Sequence, residues 1–267
     1  MRLRRPARLV RPALLALALG CGATAAAGPP YVTDDPEPVE HRHWELYLAS
    51  QHARDRDDWS GTAPHLEVNY GVVPAVQLHV IAPLVYDAPR GAGARYGYGD
   101  TELGVKVRFV DERGWRPMIG VFPLLELPTG SAARGLGSGH VQGYLPLWLQ
   151  KSFGPWSTYG GAGYWITAGA GNRSYWYCGW QVQRKLGPVA VGAELFHTTP
   201  RTTDAGHETR FNLGAVVDLT ATHHLLFSAG RGLQGPNELQ AYAAYQLTFG
   251  PAEPHPGAGH PASQPER

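Results

Sequence analysis

The sequence predicts an all-β protein, a transmembrane antiparallel up-and-down β-barrel of about twelve strands. Three observations carry this: a start fit for export, a period-two alternation of apolar and polar residues that recurs along the chain, and connections whose lengths sort by parity.

The first thirty residues, "MRLRRPARLVRPALLALALGCGATAAAGPP", hold five arginines, an apolar run from Ala13 to Leu19, and the small residues Ala25, Ala26 and Ala27. That order is a secretory signal peptide over residues 1–27. The run is shorter than the roughly 20 apolar residues a membrane helix needs. Lipidation at Cys21 is the lesser alternative, since the customary leucine three places earlier is missing. Removing residues 1–27 takes five arginines and no acid from 23 basic and 22 acidic side chains, leaving 18 against 22 and a formal charge of −4. No basic stripe points to nucleic acid. Only Cys178 is left, so no internal disulfide can form, and that cysteine reads as a small apolar filler. The 34 glycines disfavour helices and the 13 tyrosines and eight tryptophans suit strands.

Alternation begins with Trp44, Leu46 and Leu48 against Glu45, Tyr47 and Gln51. Leu66, Val68 and Tyr70 oppose His65, Glu67 and Asn69. Val76, Leu78 and Val80 oppose Gln77 and His79. Leu103, Val105, Val107 and Phe109 oppose Asp100, Glu102, Lys106 and Arg108. Ile119, Val121, Leu125 and Leu127 then oppose Gly120, Phe122 and Glu126, and Val141, Leu145, Leu147 and Leu149 oppose Gln142, Tyr144 and Gln150. In the second half Trp176, Cys178, Trp180 and Val182 oppose Tyr177, Gln181 and Gln183. Val189, Val191, Ala193 and Leu195 oppose Gly192, Glu194 and Phe196, and Phe211, Leu213, Ala215 and Val217 oppose Arg210, Asn212 and Asp218. Residues 156–167, "WSTYGGAGYWIT", assign to no face, and 223–231 alternates weakly. Strict alternation marks strands whose two faces meet different surroundings.

Odd connections, near 54–62, 87–98, 128–139, 168–174, 199–208 and 232–237, are longer and rich in Gly, Ser, Arg and Asp. Even ones, near 71–74, 111–116, 151–155, 186–188 and 219–222, are tight. Long loops at one end and short turns at the other is the outer-membrane barrel arrangement; Greek-key sandwiches do not sort this way. Trp44, Tyr70, Tyr86, Trp115, Trp148, Trp156, Trp165 and Trp176 stand toward strand ends, as interface girdles would require. The last segment, "AYAAYQLTFG", sets Tyr245, Leu247 and Phe249 on its lipid side. A barrel must pair its last strand with its first, because hydrocarbon cannot satisfy a free edge. These three residues look like the C-terminal signal that outer-membrane proteins show to their assembly machinery, although a Pro- and Gly-rich stretch, 250–267, follows with the composition of a disordered tail. The chain thus divides into a signal peptide (1–27), an N-terminal periplasmic or plug segment (28–40), a barrel (41–249) and the tail.

From about Tyr31 to Phe249 the chain resembles the outer-membrane family named for the MetA pathway of phenol degradation. The matching pieces, in that family's order, are "TDDPEPVEHRHWELYLAS", "YGVVPAVQLHVIAPL", "GYGDTELGVKVRF", "ELPTG" followed by "GLGSG", and "STYGGAGYW". The resemblance implies an outer-membrane barrel that transports hydrophobic or aromatic compounds.

Other motifs carry less. "GLGSG" lacks the Lys-Ser/Thr ending of a phosphate loop. Asp100 and Glu102 supply too few oxygens for calcium, and the pairs His41/His43 and His65/His79 lack a third zinc ligand, so no metal or cofactor is expected. Ser138 and His140 adjoin at a loop rim without a defined third member, leaving a membrane lipid hydrolase as a remote alternative. The lumen is expected to be lined by Glu45, Glu67, His79, Asp100, Glu102, Lys106, Arg108, Glu126, Glu194, Arg210 and Asp218, either as a polar passage or as paired charges filling a structural or adhesive barrel. The partners expected are outer-membrane lipid, the barrel-assembly machinery and a small solute. The expected function is passive passage of small hydrophobic or aromatic solutes, with loops 87–98 and 128–139 as gates and no catalysis.

Overall fold

The computed structural model describes residues 29–55 and 58–251; the expected signal peptide and nearly all of the expected tail lie outside them. The strands are β1 (Trp44–Asp55), β2 (Asp58–Val73), β3 (Val76–Ala88), β4 (Arg95–Tyr98), β5 (Thr101–Val110), β6 (Met118–Val121) and β7 (Leu124–Leu127). They continue as β8 (Gln142–Phe153), β9 (Trp156–Ile166), β10 (Tyr175–Leu186), β11 (Val189–Thr198), β12 (Glu208–Asp218), β13 (His223–Gln234) and β14 (Leu239–Phe249). Every pairing is antiparallel, and β14 returns to β1 with Phe249 opposite Trp44 and Leu239 opposite Arg54, so the sheet closes on itself. β4 and β5 both pair with β3, while β6 and β7 both bridge β5 and β8. Each of those pairs is one stave broken midway, which makes a closed barrel of 12 strands.

The two faces of the wall differ as the alternation requires. Along β10, Trp176, Trp180 and Val182 are exposed while Tyr177, Gln181 and Gln183 are buried. The same holds around the barrel: Leu48, Leu66, Leu103, Leu145, Leu195, Leu213 and Phe227 face outward, and Glu67, Lys106, Gln150, Asn212 and Gln246 are buried within. This inverts the distribution in a water-soluble domain, where large apolar side chains go inside and buried charges are rare.

Three expected loops are shorter than the composition suggests. β1 and β2 run on to Asp55 and Asp58, their ladder continuing to the hairpin tip, and the Arg54 guanidinium lies 5.4 Å over the Trp59 ring. Residues 95–98 form β4 against β3, and β13 extends to Gln234. The stretch without an assignable face is β9, with Ser157 and Tyr159 inward and Trp156 and Ile166 outward. Its glycines make room for neighbouring rings: a Cβ on Gly163 would lie 2.4 Å from the Tyr144 ring, and one on Gly160 2.5 Å from Trp180. The aromatic girdle is also only partial. Trp44 stacks on Tyr70 at 4.2 Å and near Phe249 at 6.4 Å at the short-turn end. Trp148 and Trp165 instead point inward. Trp148 joins Phe122, Tyr144, Tyr177 and Phe196 in a buried aromatic cluster, against which Trp165 packs, because inward parity outranks position along the strand.

Candidate functional site

The interior is not empty. The segment before β1 enters at the short-turn end, where His41 bridges to Gly71, and crosses the lumen. Tyr31, Thr33, Asp35 and Pro36 on it are buried. Its sequence, rich in Pro and Asp, cannot form a strand or helix, so its polar groups must be met by side chains from the wall. The Glu194 carboxylate of β11 accepts the backbone N–H groups of Val32 and Thr33 at 2.9 and 2.7 Å. The Thr33 hydroxyl meets that of Tyr177 at 2.9 Å, and Ser228 donates to the Pro30 carbonyl at 2.6 Å. On the opposite wall, Lys106 Nζ stands 2.9 Å from Asp34 Oδ1 and 3.5 Å from Asp35 Oδ2. Gln77 accepts the Val39 N–H at 2.8 Å, and Gln150 donates to Glu37 at 2.9 Å. Burial raises the carboxyl groups of Asp35 and Glu37 above the ordinary range, with Lys106 pulling Asp35 part of the way back.

Of the eleven residues expected to line the lumen, five lie on the neighbouring strands β1, β2, β3 and β5. His79 lies 2.9 Å from Glu102 and 3.7 Å from Glu67, and its Nδ1 is 2.6 Å from Asn69. Tyr47 donates to Glu45 at 2.7 Å, while Lys106 serves the N-terminal segment. Glu194 stands across the lumen from them. Glu126 takes a hydrogen bond from Gln142 at 2.8 Å. The other four are engaged nearer the rims. Arg210 pairs with Glu208 and Glu238, Arg108 with Asp111, and Asp218 with Lys185 and His224. Asp100 sits in the break between β4 and β5, where it accepts the N–H groups of Gly130 and Ser138 at 2.9 and 2.6 Å and latches the 128–141 loop over that end. Gln77, Gln150, Tyr177 and Ser228, which hold the segment, were not singled out by sequence reasoning. Their signal was a polar or hydroxyl-bearing residue on the strand face opposite the apolar one.

The wall itself has a weak place. Between β6 and β7, Phe122 and Pro123 drop out of the ladder on both sides. The register passes from Val107–Val121 to Gly104–Leu124 along β5, and from Leu147–Val121 to Tyr144–Leu124 along β8. One bond survives there, Val105 N–H to the Pro123 carbonyl at 3.1 Å. Pro123 and, across from Phe122 on β8, Pro146 bring no amide hydrogen. A hollow of about 770 Å³ opens at this point. Its lining mixes the outward Leu78, Val80 and Leu145 with the inward His79, Leu124 and Tyr144, so it reaches from the outer surface to the edge of the aromatic cluster.

Ser138 Oγ lies 2.7 Å from Asp100 Oδ2 and 2.8 Å from the backbone carbonyl of His140, and these bonds leave the His140 ring out. Among the described residues no group of three His, Cys, Asp or Glu side chains could hold a metal ion.

No protein-family model matches the chain, and no curated protein does. Solved structures do. The chain is similar to an outer membrane channel of the COG4313 group from Pseudomonas putida F1, with 18% identity and a TM-score of 0.65 over 80% of this chain and 98% of that one. It is also similar to the KdgM porin solved in complex with a disordered oligogalacturonate, with 10% identity and a TM-score of 0.51 over 76% and 99%. At such identities the likeness establishes a shared barrel fold.

Proposed function

We propose that the protein is an outer-membrane channel for passive passage of small apolar or aromatic solutes, of the kind implied by the resemblance to the MetA-pathway family. The hollow beside Pro123 carries this reading. It joins an exterior of leucine and valine to an interior of tyrosine, tryptophan and phenylalanine, with few polar groups along the way. An apolar solute would move along such a route without the desolvation cost that a sugar, shedding its water, would pay there. The lumen axis offers less to a bulky solute, since the N-terminal segment occupies it.

Vesicles with a lipopolysaccharide outer leaflet, carrying the purified protein, test this with a phenolic and a sugar solute in parallel. The expected result is protein-dependent entry of the phenolic with little entry of the sugar, and loss of the former when Leu145→Trp fills the hollow. Equal entry of both would mean an open aqueous pore. Entry of neither would favour the structural barrel, for which the filled lumen argues.

Membrane residence has its own check. Leu213 is at the middle of β12 and 59% exposed. Leu213→Arg is expected to cost about 2–4 kcal/mol of barrel stability in bilayers, the range for arginine on a lipid face. Denaturant titration in liposomes reads it, and a cost near zero would place that face in water.

A further inference from the structure

Three of the amide side chains inside the barrel share one feature. Gln150 Nε2 donates to Glu37 at 2.9 Å and Asn212 Nδ2 to Glu194 at 2.6 Å. A carboxylate only accepts, so in both residues the nitrogen must face the acid and the oxygen must face away. Gln246 Nε2 donates to Tyr47 Oη at 2.8 Å, and that hydroxyl donates to Glu45. The oxygens left over, Gln150 Oε1, Asn212 Oδ1 and Gln246 Oε1, are buried and have no partner. The three residues are 3%, 3% and 1% exposed. What remains inside the barrel is therefore a set of acceptors waiting for a donor or a cation.

The charge there has the same sign. Glu37, Glu45, Glu67, Glu102 and Glu194 face the interior. Facing them are Lys106, already committed to Asp34 and Asp35, and His79, held between Glu67 and Glu102. The other inward cations, Arg108, Lys185 and Arg210, are bound to acids near the rims. Acids in a narrow low-dielectric passage concentrate cations and repel anions.

We propose that the seam between the N-terminal segment and the wall is a cation-selective path, with Glu37, Glu45 and Glu67 and the free oxygens of Gln150 and Gln246 setting the selectivity. Its ligands are small monovalent cations in transit. A resident divalent ion lacks the three clustered side chains it would need among the described residues. The path touches the hollow in the wall at His79, yet ion selectivity is read independently of solute passage, so the two readings stand or fall apart.

Single channels of the full protein in a planar bilayer under a KCl gradient test it. The wild-type reversal potential is expected to favour K⁺ over Cl⁻ several-fold. Glu45→Gln with Glu67→Gln is expected to bring the ratio toward unity, and Gln246→Glu to raise it. Asp58→Asn, at the tip of the first hairpin, should leave it unchanged. A wild-type preference for Cl⁻, no discrimination, or no ion conductance overturns the proposal whether or not the variants assemble.

Discussion

Deleting residues 29–40 is expected to raise single-channel conductance by about an order of magnitude, because a twelve-stranded barrel without its occupant approaches the sizes that leave an open lumen. The occupant's bonds reach opposite walls: Glu194, Tyr177 and Ser228 on one side and Lys106, Gln77 and Gln150 on the other. Removing it frees the full width. Wall pairing does not depend on it, since β1 meets β14 and β2 from Trp44 onward. The deleted form should therefore still assemble, pass sugars in a swelling assay, and show a larger unit conductance. An unchanged conductance would mean that ions never pass by way of the lumen.

The second large effect centres on Lys106. Its side chain is 5% exposed, and Asp35 beside it is 0% exposed. Lys106→Met would leave two acids in the interior without their cation. Breaking a buried pair from one side costs about 3–5 kcal/mol, and the lower end applies because Asp34 is 21% exposed. The cheaper response is local: the segment leaves and the acids reach water, while the barrel persists. Recordings should then show frequent excursions to a larger conductance. Adding Asp34→Asn and Asp35→Asn should suppress them, and in the 29–40 deletion Lys106→Met should change stability little, as the ammonium is by then hydrated. Equal destabilisation with and without the segment would assign Lys106 a role in the wall instead.

The strand faces were legible because the two surroundings demand different chemistry at every second residue. Leu103, Val105 and Val107 against Glu102, Lys106 and Arg108 fix both a strand and its sides. Legibility failed where residue type does not separate inside from outside. Trp148 and Trp165 suit an interface girdle and an aromatic core equally well, and glycines in β9 reveal their purpose only beside Tyr144 and Trp180. The break at 122–123 left little trace, since alternation continues through it, and at 99–100, where the register to β3 shifts by one residue and the outward face changes parity, the stretch before it read as loop. The interior course of "TDDPEP" was open as well, because the groups that hold it, Lys106 and Glu194, are far away in the chain and no local pattern points to them. Asp100 looked like a lumen acid through its parity with Glu102, and the loop it holds was visible only in three dimensions.

The seam between Trp44 and Phe249 also sets an order of events. The wall's first stave has no partner on one side until its last has been made, so closure joins the two most distant parts of the barrel. Contacts of such long range form slowly, and unpaired strands stay adhesive meanwhile. This chain therefore cannot complete itself as it emerges. Its edges stay open until Leu239–Phe249 is in place beside Trp44–Asp55.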